Sequence, residues 1–362
     1  MASAHGMVHR SLAALLVLIA SATVLAACSG SSDPTPEATA TPVATEPPTV
    51  IPSAATGTQA PTVTSEAKPS PTPLPASTPE SAVPINFPTA EMSALEATLT
   101  AIASASRVAG EFAFAVTDIQ TSETVGVNIE RPHLTGCTVN YFVLLQATID
   151  AQEGRVAEDV VGDLIAATIR TSNPVTAREL YGIAGDGDVL DGVERVAELL
   201  DELSGDDAVF DHLPLFGNHS RGGDRNNWIS AVAMNEALRA SYADGILDDE
   251  WRSYLLEKMT GVKGGLNYLL AVGPDVPVSR KNGFFPTDGG KWVDNDIGFV
   301  RFEQDGEERV YAVSFFSQWV EVKYDDIPLG QRLSTATWEF FQERYPSPDF
   351  VAASDTDSDS GS

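Results

Sequence analysis

Basic residues are scarce in this chain: 22 Lys and Arg stand against 51 Asp and Glu, a formal net charge of -29. Binding to nucleic acid needs a basic footprint on the phosphates, so that class of partner is excluded. The same deficit argues against adsorption to anionic lipid through surface charge and fits a well-solvated acidic surface. Cysteine is scarcer still. Cys28 and Cys137 are the only two, so a disulfide framework is excluded. The chain has no His-Glu-x-x-His pair, no phosphate loop, no dinucleotide fingerprint and no internal repeat. "GDGDVLDG" has acidic spacing that hints at calcium, but it departs from the EF-hand pattern and no Glu closes it. No metal and no cofactor are therefore expected. What the chain does have is 43% hydrophobic residues over 362 positions, enough for a sizeable core.

The first 27 residues read as a targeting segment rather than as structure. "MASAHGMVHR" is weakly basic, and "SLAALLVLIASATVLAA" is apolar but too short and too rich in Ala and Ser to span a membrane comfortably. It closes on "LAAC", Leu25 to Cys28, which resembles the lipobox of bacterial lipoproteins. That resemblance implies a signal peptide over 1–27, a diacylated Cys28 at the new N-terminus, and an extracytoplasmic protein that touches the membrane through its anchor alone. Residues 28–87 are almost wholly Pro, Thr, Ser and Ala, without an apolar period, and read as a disordered tether. Residues 351–362, ending in "DTDSDSGS", read as a disordered acidic tail. The folded part is placed at 88–350. With lipid on Cys28, Cys137 is left as a single thiol without a partner in the chain.

Periodicity within the folded part predicts an α/β (α+β) domain. "AEMSALEATLTAIASASRV" puts Met92, Leu95, Leu99 and Ile102 on one helical face. "GEFAFAVTDIQTSETVGVNIE" reads as two strands around a turn. A mainly helical block follows, with three-and-four spacing in "RVAEDVVGDLIAATIR", "TARELYGIAG", "DGVERVAELLDEL", "ISAVAMNEALRASYADG" and "DDEWRSYLLEKM". "AVFDHLPLFGNHSRGGDRNN" interrupts it as an Ω-type loop. The period then switches. "DVPVSRKNGFF" reads as a strand, "DIGFVRFEQDGEERVYAVSFFSQ" as a hairpin around Asp305-Gly306, and "STATWEFFQERY" as a final helix. The order predicts a mostly antiparallel sheet flanked by terminal helices (88–130 and 275–350), with an all-α lobe (131–274) inserted between its strands.

That order, with the residues at its junctions, resembles the class A β-lactamases and penicillin-binding-protein-like serine hydrolases over nearly all of 88–350. "CTVNYFVLLQATIDAQEG" is similar to the family's nucleophile helix, with Cys137 at the position of the serine of Ser-x-x-Lys and Asn140 at that of the lysine. "TIRTSNPVTAREL" stands where Ser-Asp-Asn belongs; Ser172 matches the serine, and Asn173 and Pro174 replace the other two. "RKNGFF" resembles the Lys-Thr-Gly strand, with Lys281 and Gly283 kept and Asn282 in place of Thr, and "DNDIGFV" resembles the next strand. In the Ω loop Pro214 can be matched, but Leu213 stands where the family has its deacylating glutamate.

The resemblance implies a β-lactamase-type hydrolase with its site at Cys137, Asn140, Ser172 and Lys281, and ligand contacts from Lys281, Asn282 and Gly283. Serine acylation needs a base for the nucleophile, and both family bases are replaced, by Asn140 and by Leu213. Two readings of Cys137 follow. As a thiolate at a helix start near Lys281 it needs no strong base and would form a thioester. As a small hydrophobe it packs beside Phe142 and Leu145, with Asn140 bonding locally and Ser172 capping the next helix. His133 and His212 are candidate bases off the family's positions. The packing reading implies a degenerate hydrolase that binds a peptidoglycan-like or acyl-peptide ligand; the thiolate reading implies a cysteine-dependent acyl-enzyme.

Overall fold

The protein is described by a computed structural model at residues 88–345, apart from 206–207, 211–212, 214–225, 264–271, 273–275 and 288. The stretches expected to be a signal segment, a tether and an acidic tail, together with Cys28, His212 and Pro214, lie outside the described residues. Strands β1 (Glu111–Asp118) and β2 (Thr124–Val127) form the expected first hairpin. At the other end of the chain lie β5 (Val278–Pro286), β6 (Trp292–Gln304) and β7 (Glu307–Val320). Asp305 and Gly306 connect β6 to β7 with φ of 56° and 76°. Two positive φ values make the tight turn whose twist matches antiparallel strands, and Asp-Gly is a sequence that tolerates them. All pairings are antiparallel, in the order β2-β1-β7-β6-β5, so the last strand closes against the first.

The sheet is covered on both faces. On one side lie α1 (Ala90–Ser104), capped by Thr89 through the Met92 amide, and α8 (Ile327–Arg344). Met92, Leu95 and Leu99 of α1 and Leu333 and Phe341 of α8 are buried there with Phe114, Val313 and Phe315, while Ile102 is half-buried at the edge. The opposite face meets the inserted helices α2 (Asn140–Gln152), α3 (Glu158–Thr171), α4 (Pro174–Ala184), α5 (Val189–Ser204), α6 (Ala231–Ala243) and α7 (Asp249–Met259). Eleven of the thirteen residues of α2 are buried, so it has no solvent face and forms the axis of the lobe. Helix α6 lies on the sheet itself: Asn235 Nδ2 donates to Thr117 Oγ1 of β1 at 3.1 Å.

The inserted lobe is not purely helical. β3 (Pro132–Leu134) and β4 (Trp228–Ser230) pair antiparallel within it. Three-residue strands carry no readable period, which is why the sequence shows a helical block there. Helix α8 also starts ahead of the stretch that the sequence marks, with Pro328 in its first turn, a position where the missing N–H costs nothing. Among the described residues no helix is long and apolar enough to cross a membrane.

Candidate functional site

Alternation along β5 turns Lys281 and Gly283 toward the inserted lobe and Arg280 toward the other face, where it pairs with Asp296 at 3.1 Å. Lys281 is fully buried. Its ammonium donates to Ser172 Oγ at 2.5 Å and to the Asn282 carbonyl at 2.6 Å. Ser172 Oγ also lies 3.1 Å from that carbonyl, so Lys281, Ser172 and the Asn282 main chain form one polar knot. Asn282 itself is buried, with Oδ1 3.4 Å from the same hydroxyl.

Ser172 reaches this knot because the chain reverses there. It closes α3 in the left-handed conformation, φ 51° and ψ 44°. The cap expected of Ser172 belongs instead to Asn173, whose Oδ1 accepts from the Val175 amide at 2.9 Å, with Pro174 next to it in the first turn of α4. The competition has a simple resolution. Asn173 satisfies the helix end, and the serine hydroxyl is turned inward to an ammonium, where a charge-assisted bond is stronger than a cap.

Cys137 lies in a 3-10 turn, Gly136–Val139, that leads into α2. Only 4% of it is exposed. The turn rests against β5 so closely that a Cβ at Gly283 would lie 2.5 Å from the Cys137 amide nitrogen and 2.9 Å from that of Thr138. Glycine is required there by the approach of two backbones. Asn295, the β6 partner of Gly283, holds the turn by donating from Nδ2 to Leu134 O at 2.7 Å and Thr135 O at 3.0 Å.

Asn140 does not bond locally as expected from its place at a helix start. Its Oδ1 accepts from Tyr181 OH on α4 at 3.3 Å, and both residues are buried. Burial, with a smaller electrostatic contribution from Cys137, pushes the Tyr181 phenol well above its usual range, so it remains a donor at neutral pH. Leu213, at the position matched to the deacylating glutamate, is buried in the apolar core of the lobe. His133 sits in β3, fully buried, with Nδ1 2.8 Å from the Arg131 carbonyl and its ring 6.2 Å from that of Phe316. Burial lowers its pKa, which leaves a neutral imidazole in the core.

Cys137, Gly283, Lys281, Ser172 and Asn282 thus gather where β5, the 3-10 turn and the α3–α4 corner meet, with Asn140 one layer deeper against Tyr181. Tyr181 escapes a reading of the sequence because, in "TARELYGIAG", it is one more apolar position on a helical face. Only the packing of α4 against α2 makes its hydroxyl part of this group.

No protein-family model and no curated protein matches the chain. Solved structures do. The last common ancestor of Gram-negative bacterial class A β-lactamases aligns at 18% identity and a TM-score of 0.55, over 68% of this chain and 99% of that one. A β-lactamase from Xanthomonas campestris aligns at 15% and 0.56, over 69% and 98%. The TLA-1 extended-spectrum β-lactamase does so at 15% and 0.56, also over 69% and 98%. At these identities the likeness speaks for the backbone, and by its backbone the chain has the fold of the class A β-lactamases.

Proposed function

We propose that this chain is a β-lactamase-fold domain held on the outer face of a membrane through lipid on Cys28, and that it binds an envelope ligand of peptidoglycan or acyl-peptide type without running an acyl-enzyme cycle. The observation that carries this reading is the pair Asn140–Tyr181. One helical turn after Cys137, where acylation calls for a base, stands an amide that accepts a hydrogen bond from a phenol. An amide takes no proton at ordinary pH, and a phenol held above its usual range takes none either. Leu213 supports the same reading, because a buried leucine activates no water for deacylation.

The retained cation suits binding. Among the acceptors of the Lys281 ammonium are two neutral oxygens, the Ser172 hydroxyl and the Asn282 carbonyl. A ligand carboxylate is a stronger acceptor than either and would compete for the ammonium. The acidic surface favours ligands that bring their own cationic groups beside that carboxylate, as peptide stems do.

The test uses the purified full chain with a chromogenic β-lactam and with soluble peptidoglycan fragments. The expected result is no saturable hydrolysis, no covalent adduct by intact mass after exposure to penicillin, and fragment binding that weakens at least tenfold in Lys281→Met. Saturable hydrolysis or an adduct that disappears in Cys137→Ala would overturn the reading and establish a cysteine acyl-enzyme. The anchor is tested separately: Cys28→Ala is expected to move the protein from the membrane fraction to the soluble one.

A further inference from the structure

A pair of buried carboxylic acids lies on the face of the sheet away from the candidate site. Asp294 of β6 is completely inaccessible, and among the described residues neither of its carboxylate oxygens makes a hydrogen bond of good geometry, the Tyr324 amide approaching it only loosely. Asp326, the residue before α8, is equally inaccessible, and its Oδ1 lacks a partner too. Ser317 of β7 links the Asp326 carboxylate to the main chain of Asp294. Its hydroxyl donates to the Asp294 carbonyl at 2.8 Å, accepts from the Asp294 amide at 3.2 Å, and is hydrogen-bonded to Asp326 Oδ2. One hydroxyl proton serves the Asp294 main-chain carbonyl and Asp326 Oδ2 there, so one further proton, from a carboxyl group, completes the set. A buried carboxylate without donors is costly in its charged form, and two of them side by side more so.

We propose that Asp294 and Asp326 hold one proton between them, and that this proton locks the β7–α8 turn (321–326) across the end of the sheet and releases it as pH rises. The turn is built as a cover. Lys323 extends its ammonium over three rings, 4.5 Å from the centroid of Trp292, 4.5 Å from Tyr324 and 5.2 Å from Phe284. Phe284 is the β5 partner of Asp294, and its ring meets that of Tyr324 edge-on at 6.1 Å. Tyr324 is held at φ 71°, a left-handed conformation that a non-glycine residue adopts at a cost. The cover is therefore strained and held down from below.

The other charges facing the pair do not change the sign. Asp296, two residues along β6 on the same face, is matched by Arg280 of β5. From the turn, the loosely approaching Tyr324 amide and the Lys323 charge favour ionised Asp294, while Asp325 disfavours ionised Asp326. Burial outweighs them: it raises Asp294 to about 8, with the Asp326 charge adding to it, and raises Asp326 as well. In the unfolded chain an Asp titrates near ~3.9. Between that value and about 8 the folded protein holds one proton more than the unfolded chain. Its stability is thus fully present below the unfolded pKa and is lost as pH rises through this window, the folded-to-unfolded ratio falling about tenfold per pH unit from this pair.

The experiment follows urea unfolding of the full chain, and native-state amide exchange at 321–326, from acid to alkaline pH, for wild type and Asp294→Asn. The amide cannot ionise and can donate to Asp326. Expected is a wild-type ratio that drops relative to the variant by about tenfold per pH unit up to about pH 8, with the turn exchanging faster than the sheet beneath it. Parallel curves for the two proteins would overturn the proposal. Infrared difference spectra supply a readout that does not depend on the variant folding: the carbonyl stretch of a protonated carboxylic acid should persist in wild type at pH 7, and its absence would refute a shared proton. If added calcium, rather than acid, restores the locked turn, the pair is a cation site and the shared proton is wrong.

Discussion

Replacing Gly283 by alanine puts the packing of the candidate site to a quantitative test. The new Cβ would lie 2.5 Å from the Cys137 amide nitrogen, 2.9 Å from the Thr138 nitrogen and 3.0 Å from Cys137 Cα, all of them backbone atoms. No side chain can rotate away, so the 3-10 turn must retreat from β5 by about 1 Å to reach ordinary contact distance. Asn295 opposes that movement through its two bonds to Leu134 O and Thr135 O. Overpacking of this kind costs ~1–3 kcal/mol, and loosening two hydrogen bonds costs about 1 kcal/mol each. Relief of glycine's backbone entropy returns ~0.5–1 kcal/mol. The expected net loss is about 2–4 kcal/mol, read as a lower urea midpoint with an unchanged slope. The same movement uncovers the thiol, so Cys137 should react with iodoacetamide in native Gly283→Ala and stay protected in wild type. A variant as stable as wild type, with Cys137 still protected, would refute the close approach and with it the account of why a glycine stands at 283.

Two further perturbations follow from buried polar groups. Arg344→Ala removes the guanidinium that pairs with Asp118 at 3.0 Å and Glu123 at 2.7 Å, both nearly inaccessible, and should cost ~3–5 kcal/mol by equilibrium unfolding, because two buried carboxylates lose their counter-ion. Tyr181→Phe takes away the donor to Asn140 Oδ1 and should cost ~0.5–1.5 kcal/mol by the same assay, with no change in ligand binding if Asn140 serves packing alone.

The elements that repeat locally were readable before any coordinates. The Asp305-Gly306 hairpin, the apolar face of α1 and the five helical stretches after residue 154 depend on neighbours within a few residues, which the sequence displays directly. The short strands β3 and β4 are not of this kind. Three residues give no period, and their pairing joins Leu134 to Trp228 across most of the inserted lobe. His133 shows the same limit: a histidine in a polar stretch looks available as a base, yet strand pairing carries it into the core.

The candidate site divides along the same line. The sequence alone determined which chemistry is present: a cysteine and an amide at the head of α2, a leucine in the long loop, and a lysine and a glycine two apart on a strand. Residue types are facts of the chain, and they decide what can accept or donate a proton. The tertiary structure decided where those groups point. It turned Ser172 away from a helix cap and onto Lys281, set Asn140 against Tyr181, pressed Gly283 on the Cys137 amide and buried the thiol. It also brought Asp294 and Asp326 together from two elements that share no local pattern. Such contacts join residues far apart in the chain, and their energies come from burial and from the loss of water around charge, neither of which exists until the sheet and the lobe have closed on each other.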